Sequence, residues 1–202
     1  MDIIIVILFS YLSGSIPFGL ILTKIFGDQD IRNIGSGNIG ATNVLRTGNK
    51  FLAALTLVLD ILKGYIPVII AQEYFPGLIQ LSCLVAFLGH VFPVWVKFKG
   101  GKGVATYLGI LLALSIPLGI LFMFTWLTVS LIFRYSSLSS MFSSLTIFVI
   151  TLIKDTALQS ISNTYVEEEI KLILFIFFIL IIFTHRKNIS NLKNKKEHKI
   201  KI

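Results

Sequence analysis

Long apolar runs alternate with polar or glycine-rich stretches along this chain, at about 3–23, 51–71, 78–96, 104–133, 141–153 and 170–184. A helix needs about 20 apolar residues to cross a hydrocarbon core of ~30 Å, so the pattern predicts an all-α integral membrane protein. The first run opens with Asp2 rather than a basic cluster, and polar loop chemistry follows it directly. It reads as a retained helix, not a secretory signal. The run 103–133 is too long for one crossing: as a single helix it would extend ~46 Å. Pro117 near its middle removes a backbone donor and favours a break, giving halves of 104–116 and 118–133 or a hairpin about Ser115–Pro117.

Charge places the ends. Lys97, Lys99 and Lys102 crowd the loop 97–103, and the tail 186–201 carries seven basic residues against Glu197 alone. Both read as cytoplasmic by the positive-inside rule. The stretch 154–171, with Asp155, Glu167, Glu168 and Glu169 against two lysines, reads as external. Joining an inside loop at 103 to an outside one at 154 takes an odd number of crossings. The run 141–153, extended to 138–157, supplies one, so 104–133 supplies two. About seven transmembrane helices follow, with the N-terminus outside and the C-terminus cytoplasmic, in a single transmembrane domain over 1–202 that ends in a basic tail at 186–202.

Composition agrees. Of 202 residues, 55% are hydrophobic and 14% charged, where a soluble domain carries about 25% charged residues. One cysteine, Cys83, excludes an intramolecular disulfide framework and a multi-cysteine metal site. Three histidines, His90, His185 and His198, leave little scope for a histidine metal centre, and no metal is expected. The net charge of +8 lies in loops and tail beside membrane helices, which points to anionic lipid rather than nucleic acid.

The inside loops carry the candidate chemistry. In 27–50, Gly35, Gly37, Gly40 and Gly48 alternate with Ser36, Asn38, Thr42 and Asn43, flanked by Arg32 and Arg46. Glycine admits positive φ and close approach, successive backbone N–H groups make anion-binding concavities, and arginine matches phosphate oxygens. In the second loop Gly100, Gly101 and Gly103 bracket Lys102 just ahead of a helix expected to start near Val104. Amides, dipole and a lysine there suit phosphate. The G-x-x-x-x-G-K-[ST] pattern is not met. Trp95 and Phe98 read as interfacial anchors. A third piece, Arg134 to Ser140, offers one arginine and four serines. Two glycine cradles on one face imply a small phosphorylated ligand at the membrane surface. Catalytic motifs such as G-x-S-x-G, H-E-x-x-H and C-x-x-C are absent from the sequence. An enzyme built this way would work by positioning and charge stabilisation on an activated substrate.

The motifs S13-G-S-I-P-F-G19, R32-N-I-G-S-G-N-I-G-A-T-N-V-L-R46, G89-H-V-F-P with F98-K-G-G-K-G-V-A-T106, R134-x-x-S-L-x-S140 and H185-R-x-N-I with E197 closely resemble the bacterial acyl-phosphate:glycerol-3-phosphate acyltransferases. The resemblance runs over essentially the whole chain and implies a seven-helix inner-membrane enzyme with its active site on the cytoplasmic side. It would move an acyl group from acyl phosphate to the 1-hydroxyl of sn-glycerol 3-phosphate, the first step of phospholipid synthesis, without cofactor and without acyl-CoA or acyl carrier protein as direct donor. It implies catalytic roles for Ser36, Arg46, Lys102 and Asn188. Substrate contacts would fall to Gly35, Gly37, Asn38, Gly40, Thr42, Asn43, Gly100, Gly101, Gly103, Ser137, Ser140 and His185. His90 and Glu197 would be structural, as would an ion pair between Asp60 and Lys63 one turn apart. The sequence departs from the family pattern at Asn191 and Lys195, where an arginine and a glycine are expected, which bears on the turn before Glu197. The rival reading, a transporter of phosphorylated solutes, is weakened because the glycine loops do not recur in inverted orientation.

Overall fold

The computed structural model describes residues 1–153 and 168–200, so most of the acidic stretch 154–171, and the end of the expected 138–157 helix, lie outside the described residues. The chain is helical: α1 (Asp2–Ser15), α2 (Phe18–Gly27), α3 (Ala41–Val44), α4 (Lys50–Tyr74), α5 (Ile79–Val91), α6 (Val104–Leu114), α7 (Ile116–Phe133), α8 (Ser136–Ile153), α9 (Glu168–Thr184) and α10 (Arg186–Lys193). Among the described residues five stretches are long and apolar enough to cross a membrane: Asp2–Gly27, Lys50–Tyr74, Pro76–Val96, Ile116–Phe133 and Ser136–Ile153. A sixth candidate joins Ile170–Thr184 to Arg186–Lys193 with a bend of 55°. Helix α6 is apolar but short. The run 104–133 does break, at Ser115, whose extended backbone separates α6 from α7, and Pro117 sits in the first turn of α7, where its missing N–H costs nothing.

The chain divides into two compact units, Met1–Ala113 and Leu114–Ile202. In the first, small residues set the packing. A Cβ on Gly14 would collide with the Ala86 carbonyl, and one on Gly89 with the Tyr11 carbonyl, so α1 and α5 lie backbone to backbone. The Ser10 and Ser82 hydroxyls meet across this seam at 2.9 Å, and Tyr11 donates to the Phe92 carbonyl at 2.7 Å. Gly64 against the Thr106 carbonyl, and Gly109 against the Ile61 carbonyl, bring α4 and α6 equally close. Pro67 inside α4 deprives the Lys63 carbonyl of its helical donor. The Ser13 hydroxyl replaces it at 3.3 Å, which gives the first serine of the 13–19 motif a structural purpose.

In the second unit, α8 packs on α7 and α9. Phe148 of α8 meets Phe175 and Phe178 of α9 at ring-centroid distances of 5.1 and 6.0 Å. Four of the buried serines of α8, at 139, 140, 143 and 144, turn their hydroxyls back onto carbonyls within one helical turn, which satisfies them away from water.

Candidate functional site

The loop between α2 and α4 folds around local polar bonds. Asp30 caps a single 3-10 turn at Ile31–Asn33. Its carboxylate takes a fork from Arg32, with Nε at 2.9 Å from Oδ1 and Nη2 at 2.5 Å from Oδ2. The hydrogen bond from the Arg32 side chain holds the Asp30 carboxyl well below the usual carboxylate range, and the same bond raises Arg32. Arg32 is therefore paired with Asp30 within the loop. Gly35 and Gly37 then take φ of +55° and +70°. Helix α3 and a 3-10 turn at Leu45–Thr47 follow, and Asn49 caps α4 by accepting from the Leu52 amide at 3.0 Å.

The underside of this loop is apolar. Ile31, Ile39 and Val44 are buried in one cluster with Leu20, Leu22, Leu52, Ala53 and Val96. Val96 belongs to the second loop, so the two glycine loops share this core. Gly19 permits the seat, since a Cβ there would strike the Ile39 carbonyl.

Above the cluster lies Asn43, only 2% exposed. Its Nδ2 donates to the carbonyls of Ile31, Ile34 and Asn38 at 3.1, 2.9 and 2.8 Å. Its Oδ1 accepts from the Ser36 amide at 3.0 Å, the Ser36 hydroxyl at 3.2 Å and Arg46 Nη1 at 3.2 Å. Both sides of the amide are engaged within the protein. Ser36 and Arg46 themselves are exposed, as are Gly35, Gly37 and Thr42. The amides of Gly37 and Gly40 donate to the Ile34 carbonyl and to Asn38 Oδ1. Asn38 thus braces the loop, while the Ser36 and Arg46 side chains stay at the surface.

The second loop departs further from an amide cradle. The Gly100 and Gly101 amides donate to the carbonyls of Val91 and His90, both at 3.1 Å. Gly101 lies against the His90 imidazole, Gly103 at φ +83° against the Phe87 ring, and Gly100 under the His90 carbonyl. These glycines serve close approach, because the N–H groups of Gly100 and Gly101 must satisfy the carbonyls left bare at the end of α5. Helix α6 starts at Val104 as expected, with half-buried Lys102 just ahead of it. Trp95 is exposed, and its indole N–H donates to the Ser15 hydroxyl at 2.8 Å, which anchors the loop beside α1.

Beneath this loop the expected ion pair is present. Lys63 Nζ lies 2.8 Å from Asp60 Oδ1 and donates to the Ile16 carbonyl at 2.7 Å. His90 Nδ1 is 3.9 Å from the same Asp60 oxygen, and all three side chains are buried. His90 thus stands between Asp60 and Gly101.

In the second unit Glu197 Oε1 accepts from Ser137 at 2.8 Å and from Asn188 Nδ2 at 2.6 Å. Ser140 is buried, donates to the Ser136 carbonyl and accepts from Trp126. His185 is buried, with Nδ1 2.8 Å from the Ile181 carbonyl. Lys195, where the family pattern carries glycine, takes φ +56°, the left-handed region that glycine favours.

The glycerol-3-phosphate acyltransferase family model matches residues 4–195. The chain belongs to the glycerol-3-phosphate acyltransferase family. A relative from Pelagibacter ubique with that name is 52% identical over 100% of both chains. One from Wolbachia pipientis is 48% identical over 98% of this chain and 99% of its own. The fold is that of PlsY, a crystallised integral membrane glycerol 3-phosphate acyltransferase: the glycerol 3-phosphate form superposes with a TM-score of 0.89 at 36% identity, covering 100% of this chain and 96% of that one. Its lysophosphatidic acid form gives 0.86 at 34%. The stretch matched to the family takes in both glycine loops, Ser137, His185 and Asn188, and stops two residues short of Glu197.

Proposed function

We propose that this chain acylates glycerol 3-phosphate at its 1-hydroxyl with acyl phosphate as donor, releasing 1-acyl-glycerol 3-phosphate and inorganic phosphate. The observation that carries the reading is the pairing of exposed Ser36 and Arg46 on one buried amide, within 3.2 Å of it, in a chain of this family.

An acyl phosphate is a mixed anhydride with a good leaving group. The glycerol hydroxyl oxygen forms a bond to the acyl carbon, the carbon–oxygen bond to phosphate breaks, and the hydroxyl proton passes to a substrate phosphate oxygen. Catalysis then needs charge and orientation rather than a side-chain nucleophile. Arg46 holds phosphate charge, Ser36 orients the acceptor hydroxyl, and Lys102 supplies a point charge to the glycerol 3-phosphate group. In the second unit Asn188 is the catalytic candidate, oriented by Glu197 with Ser137 beside it. The lysines and arginines of both loops and the tail assign this chemistry to the cytoplasmic face of the bacterial inner membrane, with the chain crossing seven times.

Purified protein in lipid bilayers, given glycerol 3-phosphate and either palmitoyl phosphate or palmitoyl-CoA, tests the donor. Lysophosphatidate formed in step with phosphate from the acyl phosphate alone is the expected result. Product from palmitoyl-CoA alone would overturn the donor assignment. Silence with both would turn attention to transport of phosphorylated solutes.

A further inference from the structure

Asn43 hydrogen-bonds to both Ser36 and Arg46, and it does so from inside the protein. We propose that it is a positioning residue for the acyl transfer: its carbonyl oxygen fixes the direction of the Ser36 hydroxyl and the place of the Arg46 guanidinium, and it does not itself contact substrate. This rests on the function proposed above.

The geometry has a chemical consequence. A serine hydroxyl has one proton and two lone pairs. With Ser36 Oγ donating to Asn43 Oδ1 at 3.2 Å, its lone pairs face outward and accept, which suits an alcohol O–H as the glycerol docks and not a phosphate oxygen; that alcohol proton turns from Oγ to the substrate phosphate as the hydroxyl oxygen attacks. Arg46 gives one Nη1 proton to the same Oδ1 and keeps the rest of its fork for anions. Asn43 thereby separates the two tasks, with serine turned to the hydroxyl and arginine to the phosphate. Its own orientation is set by Nδ2 bonds to the carbonyls of Ile31, Ile34 and Asn38, so the amide cannot flip without losing them. Gly35 completes the arrangement. A Cβ there would press on Asn43 Oδ1 and on Arg46, so the glycine clears the space in which the three meet.

The test uses full-length protein in bilayers, with turnover read at saturating palmitoyl phosphate and varied glycerol 3-phosphate. Asn43→Leu removes both halves of the amide, whereas Asn43→Asp, neutral in its burial against three carbonyls, keeps an acceptor toward Ser36 and Arg46 and one O–H donor toward the carbonyls. Positioning predicts a fall in kcat of about 100-fold or more for Asn43→Leu with KM within about threefold, and at least a tenfold recovery in Asn43→Asp. Equal losses in the two variants, or a loss confined to KM, would overturn the proposal. So would kcat within threefold of wild type in Asn43→Leu. Should Asn43→Leu not fold, Asn43→Gln decides, since it displaces the amide by one methylene. An unchanged melting temperature with at least about a 30-fold lower kcat supports positioning, and near-normal kcat refutes it. A wild-type protein without acyltransferase activity would instead strike the function proposed above, so the two failures are distinguishable.

Discussion

The two glycine loops look alike in sequence and work differently in structure. The loop 27–50 turns apolar residues inward, buries one asparagine and leaves Ser36 and Arg46 at the surface. The loop 97–103 uses its glycines to press against helix α5, with the Gly100 and Gly101 amides consumed by α5 carbonyls. One loop holds two exposed side chains, Ser36 and Arg46, on a buried amide. The other packs closely against α5 and carries half-buried Lys102 beside a buried Asp60–Lys63–His90 group. Glycine density alone does not reveal whether backbone N–H groups face a ligand or a neighbour.

Substitutions sharpen that contrast, the largest effect first. Arg46→Ala removes a transition-state phosphate contact worth about 3–4 kcal/mol, so kcat/KM falls by about 10²–10³-fold or more in a steady-state assay. Near-normal turnover would strip the first loop of its role. Asp60→Ala strands Lys63 as an uncompensated buried charge and lowers stability by about 3–5 kcal/mol, read as a lower melting temperature in detergent; an unchanged melting temperature would dissociate the buried group from the second loop's support. Lys102→Ala acts on ground-state charge pairing, so KM for glycerol 3-phosphate rises about tenfold while kcat holds. A kcat loss matching that of Arg46→Ala would erase the distinction between the loops. Lys195→Gly relieves a left-handed residue beside Glu197 and raises stability by about 1 kcal/mol, visible as a small upward shift in melting temperature.

Much of this was legible along the chain because it is local. Apolar run lengths predicted the helices, Pro117 marked the break that falls at Ser115, and the one-turn spacing of Asp60 and Lys63 foretold their ion pair. What stayed hidden depends on bonds between residues distant in sequence or on which way a backbone N–H points. Asn43 reaches back seven residues to Ser36 and twelve to Ile31, and no periodicity records that. Its flanking apolar residues Ile39 and Val44 were the available hint of an inward side chain. Ser137 and Asn188 meet on Glu197 across sixty and nine residues, which motif spacing cannot show. The Gly100 and Gly101 amides looked like an anion nest because sequence does not say that the end of α5 claims them first.

The central claim is that positioned substrates react directly, without an acyl-enzyme intermediate. Isotope exchange tests it: labelled inorganic phosphate is incubated with palmitoyl phosphate and the protein in bilayers, with glycerol 3-phosphate withheld. Direct transfer predicts no label in palmitoyl phosphate, because the acyl carbon is not released from phosphate until a glycerol hydroxyl attacks it. Exchange without acceptor, at a rate comparable to turnover, would reveal a covalent acyl-enzyme and contradict the account.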